Sequence, residues 1–309
     1  MIPATAQLGW IDDPAAVAEV VDRRNLATAY AAVPAVVGFG AGKIALPYQA
    51  QQGFYGDYLY YPAQTRGTCV ARSGQQMADI LRPLAIAADA ALEIKARCAF
   101  APLYAGARIE TGYGPRRGEG ATGAGLAAFL QQWGLLEQLA YTIDGQTYDL
   151  AAETDELAAT WGSSANGVPA ALETEAKKNP ILKAVRVQNW AEMRDAIAAG
   201  GVGVLCCNTL YSCDRDAEGF SRPEGRGGHA TPVIGIDDDY KRPGGLVDYR
   251  SWGRHGSGPK RHDQPDSTTW VDADALDRHI ADYADSWVYF DPSGFVAEPI
   301  KHILRTGAA

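Results

Sequence analysis

The sequence predicts an α+β fold, with helices in its first half and short strands in its second. Three observations carry this. Residues 69–82 place Ala71, Met77, Ala78 and Leu81 at helical spacing. The Ala- and Gly-rich stretches 101–112 and 123–133 extend the helical half. Beyond residue 180, short apolar runs punctuated by Gly and Pro read as strands, at 184–188, 202–207, 229–236, 246–252 and 287–290. Strands gathered after a helical half suit an antiparallel, barrel-like second lobe.

The elements follow in order. Asp13-Pro14 opens a short helix, with Asp13 as cap and Pro14 at its first position. Gly38-Phe-Gly-Ala-Gly42 and Pro47 break the pattern before the tyrosine-rich stretch from Tyr55 to Tyr61. Residues 1–60 read as an N-terminal arm packing on the body in preference to an inhibitory propeptide, residues 61–165 as a helical lobe and residues 166–309 as a β-rich lobe. Gly162 to Pro169 is the natural boundary between the lobes. Thr68 is placed to cap the helix that begins at Cys69, and Pro83 should end that helix near Arg82. A second, Ala-rich helix is expected from Leu84 to Cys98. Gly112 to Gly120 reads as a loop beside a cleft rather than a phosphate loop, because no apolar strand precedes it and no Lys-Ser/Thr follows. Residues 190–199 complete the helices.

Composition narrows the function. The 309 residues are 47% hydrophobic and 21% charged, with a net charge of −9. An acidic chain does not offer the excess of Lys and Arg that nucleic-acid binding needs, although Lys260-Arg261-His262 is a local basic patch. No run of apolar residues is long enough to span a membrane, and the N-terminus has no secretory pattern. Five cysteines, Cys69, Cys98, Cys206, Cys207 and Cys213, give an odd count with two adjacent, which points to free thiols in a reducing compartment. The adjacent pair is poor zinc-chelating spacing and reads as buried strand cysteines. Asp237-Asp-Asp239 lacks the alternating ligands of a calcium loop. No metal and no cofactor is expected. His255, His262, His279 and His302 read as surface residues.

The chemistry concentrates in three blocks. Cys69 opens a helix, where the macrodipole favours a thiolate, and Gln64 precedes it by five residues. Gly228-His229-Ala230 enters an apolar strand. Asp248-Tyr-Arg250-Ser-Trp252-Gly253 ends the next. In order and local sequence these blocks resemble the papain-like cysteine peptidases, in the style of signal-less members carried by bacteria and tailed phages. The resemblance covers about residues 60–290.

What the resemblance implies is a cleft between the lobes. Cys69 would be the nucleophile, His229 the base and then the acid, and Gln64 with the Cys69 backbone N–H the oxyanion hole. Gly67, Gly228 and Trp252 would line the cleft, with Trp252 as a lid over His229. The substrate would be a protein or peptide. Two departures stand out. The family spaces its glutamine six residues before the cysteine, and it has an asparagine where this chain has Arg250. An arginine is all donor and cannot accept from the imidazole. Asp248 is expected to pair with Arg250 or to accept from His229 itself. On this reading, asparagine at position 250 should raise any peptidase rate. The competing reading is a catalytically impaired papain-like module, structural or peptide-binding, with assembly partners in a larger particle. A cytoplasmic or phage-virion location goes with either.

Overall fold

The computed structural model describes residues 2–4, 6–24, 26, 36–88, 93–111, 118–179, 181 and 183–290, with the backbone of 304–305. Helix α1 spans Pro14–Arg23, and the Asp13 carboxylate accepts from the Ala16 N–H at 2.9 Å, as the Asp-Pro start predicts. The short strand β1 (Ile44–Ala45) and helix α2 (Gln49–Tyr55) follow. Both belong to the body. Strand β1 joins the main sheet, and Leu46, Tyr48 and Gln51 are fully buried.

Helix α3 (Cys69–Ala88) is the central element of the first half, and it runs straight through Pro83. The expected stop at Arg82 and the separate helix from Leu84 to Cys98 are therefore not what forms. Proline at position 83 removes the N–H that would bond to the Asp79 carbonyl. The Gln51 side-chain amide of α2 supplies a donor to that carbonyl instead, at 3.4 Å. The orphaned acceptor is satisfied from outside the helix, and the helix continues to Ala88. Residues 93–98 are irregular, with Cys98 bridging to Glu137.

Helices α4 (Ala101–Arg108) and α5 (Gly123–Gln132) pack against α3. Gly106 permits a close approach: a Cβ there would meet the Phe129 ring at 2.1 Å. A hairpin of β2 (Ala140–Ile143) and β3 (Gln146–Asp149), then α6 (Asp155–Ser163) and α7 (Ala170–Ala176), complete this half.

The second half adds β4 (Lys183–Val187), α8 (Trp190–Ala198), β5 (Val202–Tyr211), β6 (Pro223–Asp237) and β7 (Gly244–Asp248). A 3₁₀ turn at Arg250–Trp252 follows, then β8 (Thr268–Asp272), α9 (Ala273–Tyr283), β9 (Ser286–Phe290) and β10 (Leu304–Arg305). The main sheet runs β10-β1-β6-β5-β9-β4, with β7 on the other edge of β6 and β8 beyond it, and its pairings are antiparallel. It is antiparallel, as the strand pattern predicts, and open and branched among the described residues rather than a closed barrel. Strand β6 changes character along its length. Its first half is Gly-rich and partly exposed, and its second half is apolar and buried. His229 sits where the two meet.

The strand expected to run through Trp252 ends at Asp248. Lys260, Arg261 and His262 form no free basic patch, because Asp266 and Asp237 carboxylates pair with all three.

Candidate functional site

Cys69 is the first residue of α3 and is fully buried. Its sulfur accepts from the Ala230 N–H at 3.4 Å, so α3 and β6 bring the cysteine against the residue that follows His229. The Thr68 hydroxyl, expected as a cap, donates to Asp155 instead. Backbone N–H groups of Ala230, Gly9 and Val70 favour a thiolate, but burial outweighs them and pushes the thiol up to about 12. The helix start does not make a thiolate here.

His229 is equally enclosed. Its ring lies against Trp252, tilted by 32° with centroids 4.3 Å apart, and stacks parallel to Tyr249 at 5.7 Å. Trp252 thus covers one side of the His229 ring. Burial lowers the imidazole to about 3. Neither ring nitrogen has a hydrogen-bond partner among the described residues. In this state no hydrogen bond joins the thiol to the imidazole, and the sulfur meets the strand at the Ala230 N–H.

Arg250 and Asp248 are completely buried and face each other. The guanidinium donates through Nη2 to Asp248 Oδ2 at 2.7 Å and through Nε to both carboxylate oxygens. Its Nη1 donates to Gln51 Oε1 at 2.7 Å and to the Leu59 carbonyl at 2.6 Å. The 3₁₀ turn, rather than a shared strand face, brings the pair together. Neither residue bonds to His229. Their side chains fasten residues 51–59 to the end of β7.

Gln64 is held by its backbone N–H to the Ser251 carbonyl at 2.8 Å. Its side-chain amide donates to the Gln7 carbonyl at 2.9 Å and to the Arg66 carbonyl at 3.2 Å. The Trp252 indole N–H donates to the same Gln7 oxygen at 3.1 Å. The expected oxyanion donor Gln64 and the expected lid Trp252 therefore both hold one peptide carbonyl of the chain itself, that of Gln7.

Residues 7–11 run through the site. The N–H groups of Gly9 and Trp10 donate to the Gly228 carbonyl at 3.0 and 3.1 Å. Ile11 N–H donates to Ala121 O at 3.0 Å, and Ala121 N–H to Gly9 O at 2.9 Å. The Trp10 indole donates to buried Asp285 at 2.9 Å. Glycines let backbone pass this close to backbone. A Cβ on Gly9 would lie 2.0 Å from the Gly67 oxygen, and one on Gly228 would lie 2.3 Å from the Trp10 oxygen. Gly67 and Gly228, expected as cleft walls, are walls against this segment. The sequence favours a packing arm over an inhibitory propeptide for residues 1–60 and does not locate residues 7–11 in the site; the glycines at 9, 67, 227 and 228 are a trace of it.

All five cysteines are free and buried. No cluster of metal-ligating side chains occurs among the described residues, and no described helix is long and apolar enough to cross a membrane. His255 and His279 are partly buried, each with a hydrogen bond, and His302 lies outside the described residues.

No protein-family model and no curated protein matches the chain. Solved structures do resemble it at low identity. Xylellain, a cysteine protease from Xylella fastidiosa, is 13% identical with a TM-score of 0.49, over 92% of this chain and 91% of that one. The proCathepsin B S9 of Trypanosoma congolense is 11% identical with a TM-score of 0.47, over 78% and 76%. Bromelain from Ananas comosus, in complex with the E64 inhibitor, is 16% identical with a TM-score of 0.41, over 77% and 95%.

Proposed function

We propose that this protein is a papain-like cysteine peptidase whose N-terminal segment keeps it latent. The observation that carries the reading is the buried Cys69 sulfur at the start of α3, against the amide next to His229. The order of the Gln64, Cys69, His229 and Trp252 blocks supports it. The residues that enclose this pair explain why it rests neutral. With water excluded, a thiolate and an imidazolium both lose their solvation.

Departure of residues 7–11 would admit water and substrate and free the Gln64 amide. The imidazole then takes the thiol proton, and Cys69 attacks the scissile carbonyl. The oxyanion receives N–H groups from Gln64 and the Cys69 backbone. His229 returns its proton to the leaving amine. Water, activated by His229, hydrolyses the thioester and restores the thiol. Arg250 takes no part in these steps, so the imidazole is oriented by its contacts with the Trp252 and Tyr249 rings.

The test is hydrolysis of an unstructured protein substrate by the full chain, by Gly9→Ala, which cannot seat the N-terminal segment, and by Gly9→Ala with Cys69→Ala. The expected result is little cleavage by the first, cleavage by the second and none by the third. One observation favours the non-catalytic module: the third position of the triad is spent on a buried ion pair. That reading prevails if Gly9→Ala exposes a reactive Cys69 thiol and still cleaves nothing.

A further inference from the structure

Asp155, the first residue of α6, is 5% exposed. Its two oxygens take four hydrogen bonds, and all four partners are donors. Oδ2 accepts from Thr65 N at 2.6 Å and from Thr65 Oγ1 at 3.0 Å. Oδ1 accepts from Thr68 Oγ1 at 2.9 Å and from Arg72 Nη2 at 3.2 Å.

The positions of those donors matter more than their number. Thr65 follows Gln64, Thr68 precedes Cys69, and Arg72 lies one turn further along α3. Residues 62–68 have no regular structure of their own. One carboxylate outside the cleft thus grips the chain immediately beside both the amide donor and the sulfur. Arg72 offsets its charge, and the guanidinium is itself stacked on Phe100, 3.4 Å from the ring centroid. The carboxylate can therefore lie behind Cys69 without leaving an uncompensated anion to oppose a thiolate.

We infer that Asp155 is a positioning residue for catalysis, setting the separation and orientation of the Gln64 amide relative to the Cys69 sulfur. The inference rests on the peptidase reading of those two residues. Asp155 touches neither the thiol nor the substrate path, and its effect passes through Thr65 and Thr68. Asparagine is the informative replacement. It matches the carboxylate in shape, but in either orientation it turns an N–H toward a donor.

The experiment uses the full chain opened by Gly9→Ala, with and without Asp155→Asn. Asp195→Asn is the control, removing a second buried carboxylate that accepts from Gly38 and Gly40 far from the cleft. Three readouts are compared. Peptide-level hydrogen exchange reports on residues 62–72. Iodoacetamide alkylation of Cys69 reports thiol access alone. Affinity for a peptide aldehyde reports the oriented site, because its hemithioacetal oxygen needs the Gln64 donor.

Asp155→Asn should speed exchange in 62–72 and weaken aldehyde binding about tenfold or more relative to the alkylation rate, since small misplacements are costly. Asp195→Asn should leave that ratio alone even if it lowers the melting temperature equally. An unchanged ratio or unchanged exchange in Asp155→Asn overturns the inference while leaving the peptidase reading intact. A Cys69 that alkylates in the Gly9→Ala chain but never binds the aldehyde there overturns the peptidase reading, and the positioning role falls with it.

Discussion

The Gln64 side-chain amide donates to the Gln7 carbonyl at 2.9 Å, across 57 residues of chain. A donor placed to hold a substrate's oxygen is holding the protein's own backbone. The Trp252 indole shares that oxygen, and Gly9 crosses between Gly67 and Gly228, so on the proposed peptidase reading the N-terminal segment and a substrate would compete for one groove.

Gly9 is where that competition can be tilted. A methyl group there meets the Gly67 backbone oxygen at 2.0 Å, and a backbone atom cannot step aside as a side-chain tip does. Gly9→Ala should raise the rate of Cys69 alkylation by iodoacetamide at neutral pH about tenfold or more, because local opening then costs less. Peptide mass mapping identifies the alkylated cysteine. An unchanged rate would mean that residues 7–11 do not control access.

His229 gives stability a pH dependence with a definite sign. Its folded value, about 3, lies below the ordinary 6.5. Between the two the unfolded chain binds more protons than the native one. The contribution is complete above 6.5 and is lost as the pH falls toward 3. Asp79, raised to about 6, and Glu110, raised to about 7, pull the other way, so the effect must be read as a difference. The stability gap between wild type and His229→Gln should shrink by about 1.4 kcal/mol for each unit of pH within that window. Urea denaturation at pH 4, 5, 6 and 7 measures it, and parallel curves would contradict it.

Arg250→Asn was expected from the sequence to help catalysis by restoring an acceptor. The structure reverses that expectation. The guanidinium neutralises fully buried Asp248 and bonds to Gln51 and Leu59, so its loss strands a carboxylate in the interior. The variant should be destabilised by about 3–5 kcal/mol, with no gain in any cleavage rate. Replacing both partners with apolar residues of similar size should recover much of that loss. A stable, faster single variant would contradict this account.

The thiols offer a direct check on packing. All five cysteines are free and buried. Each should resist a thiol reagent in the native protein, and five adducts should appear after denaturation without reductant. A native disulfide would reduce that count by two.

The sequence by itself determined the local elements. The Asp13-Pro14 start, the helix beginning at Cys69 and the apolar strands around His229 follow from capping, 3.6-residue spacing and β-branched runs, which act within a few residues. The sequence also ordered the Gln64, Cys69, His229 and Trp252 blocks. What only the tertiary structure decided depends on partners far along the chain. Helix α3 passes Pro83 because Gln51 reaches the Asp79 carbonyl. Arg250 leaves the histidine because Asp248, Gln51 and Leu59 satisfy it elsewhere. The sheet stays open because β6 pairs with β5 and β1 along one edge and β7 along the other. The state of the site was equally hidden. A helix start favours a thiolate, yet desolvation under residues 7–11 and Trp252 keeps Cys69 and His229 neutral. Burial is a property of the assembled fold, and no local pattern encodes it.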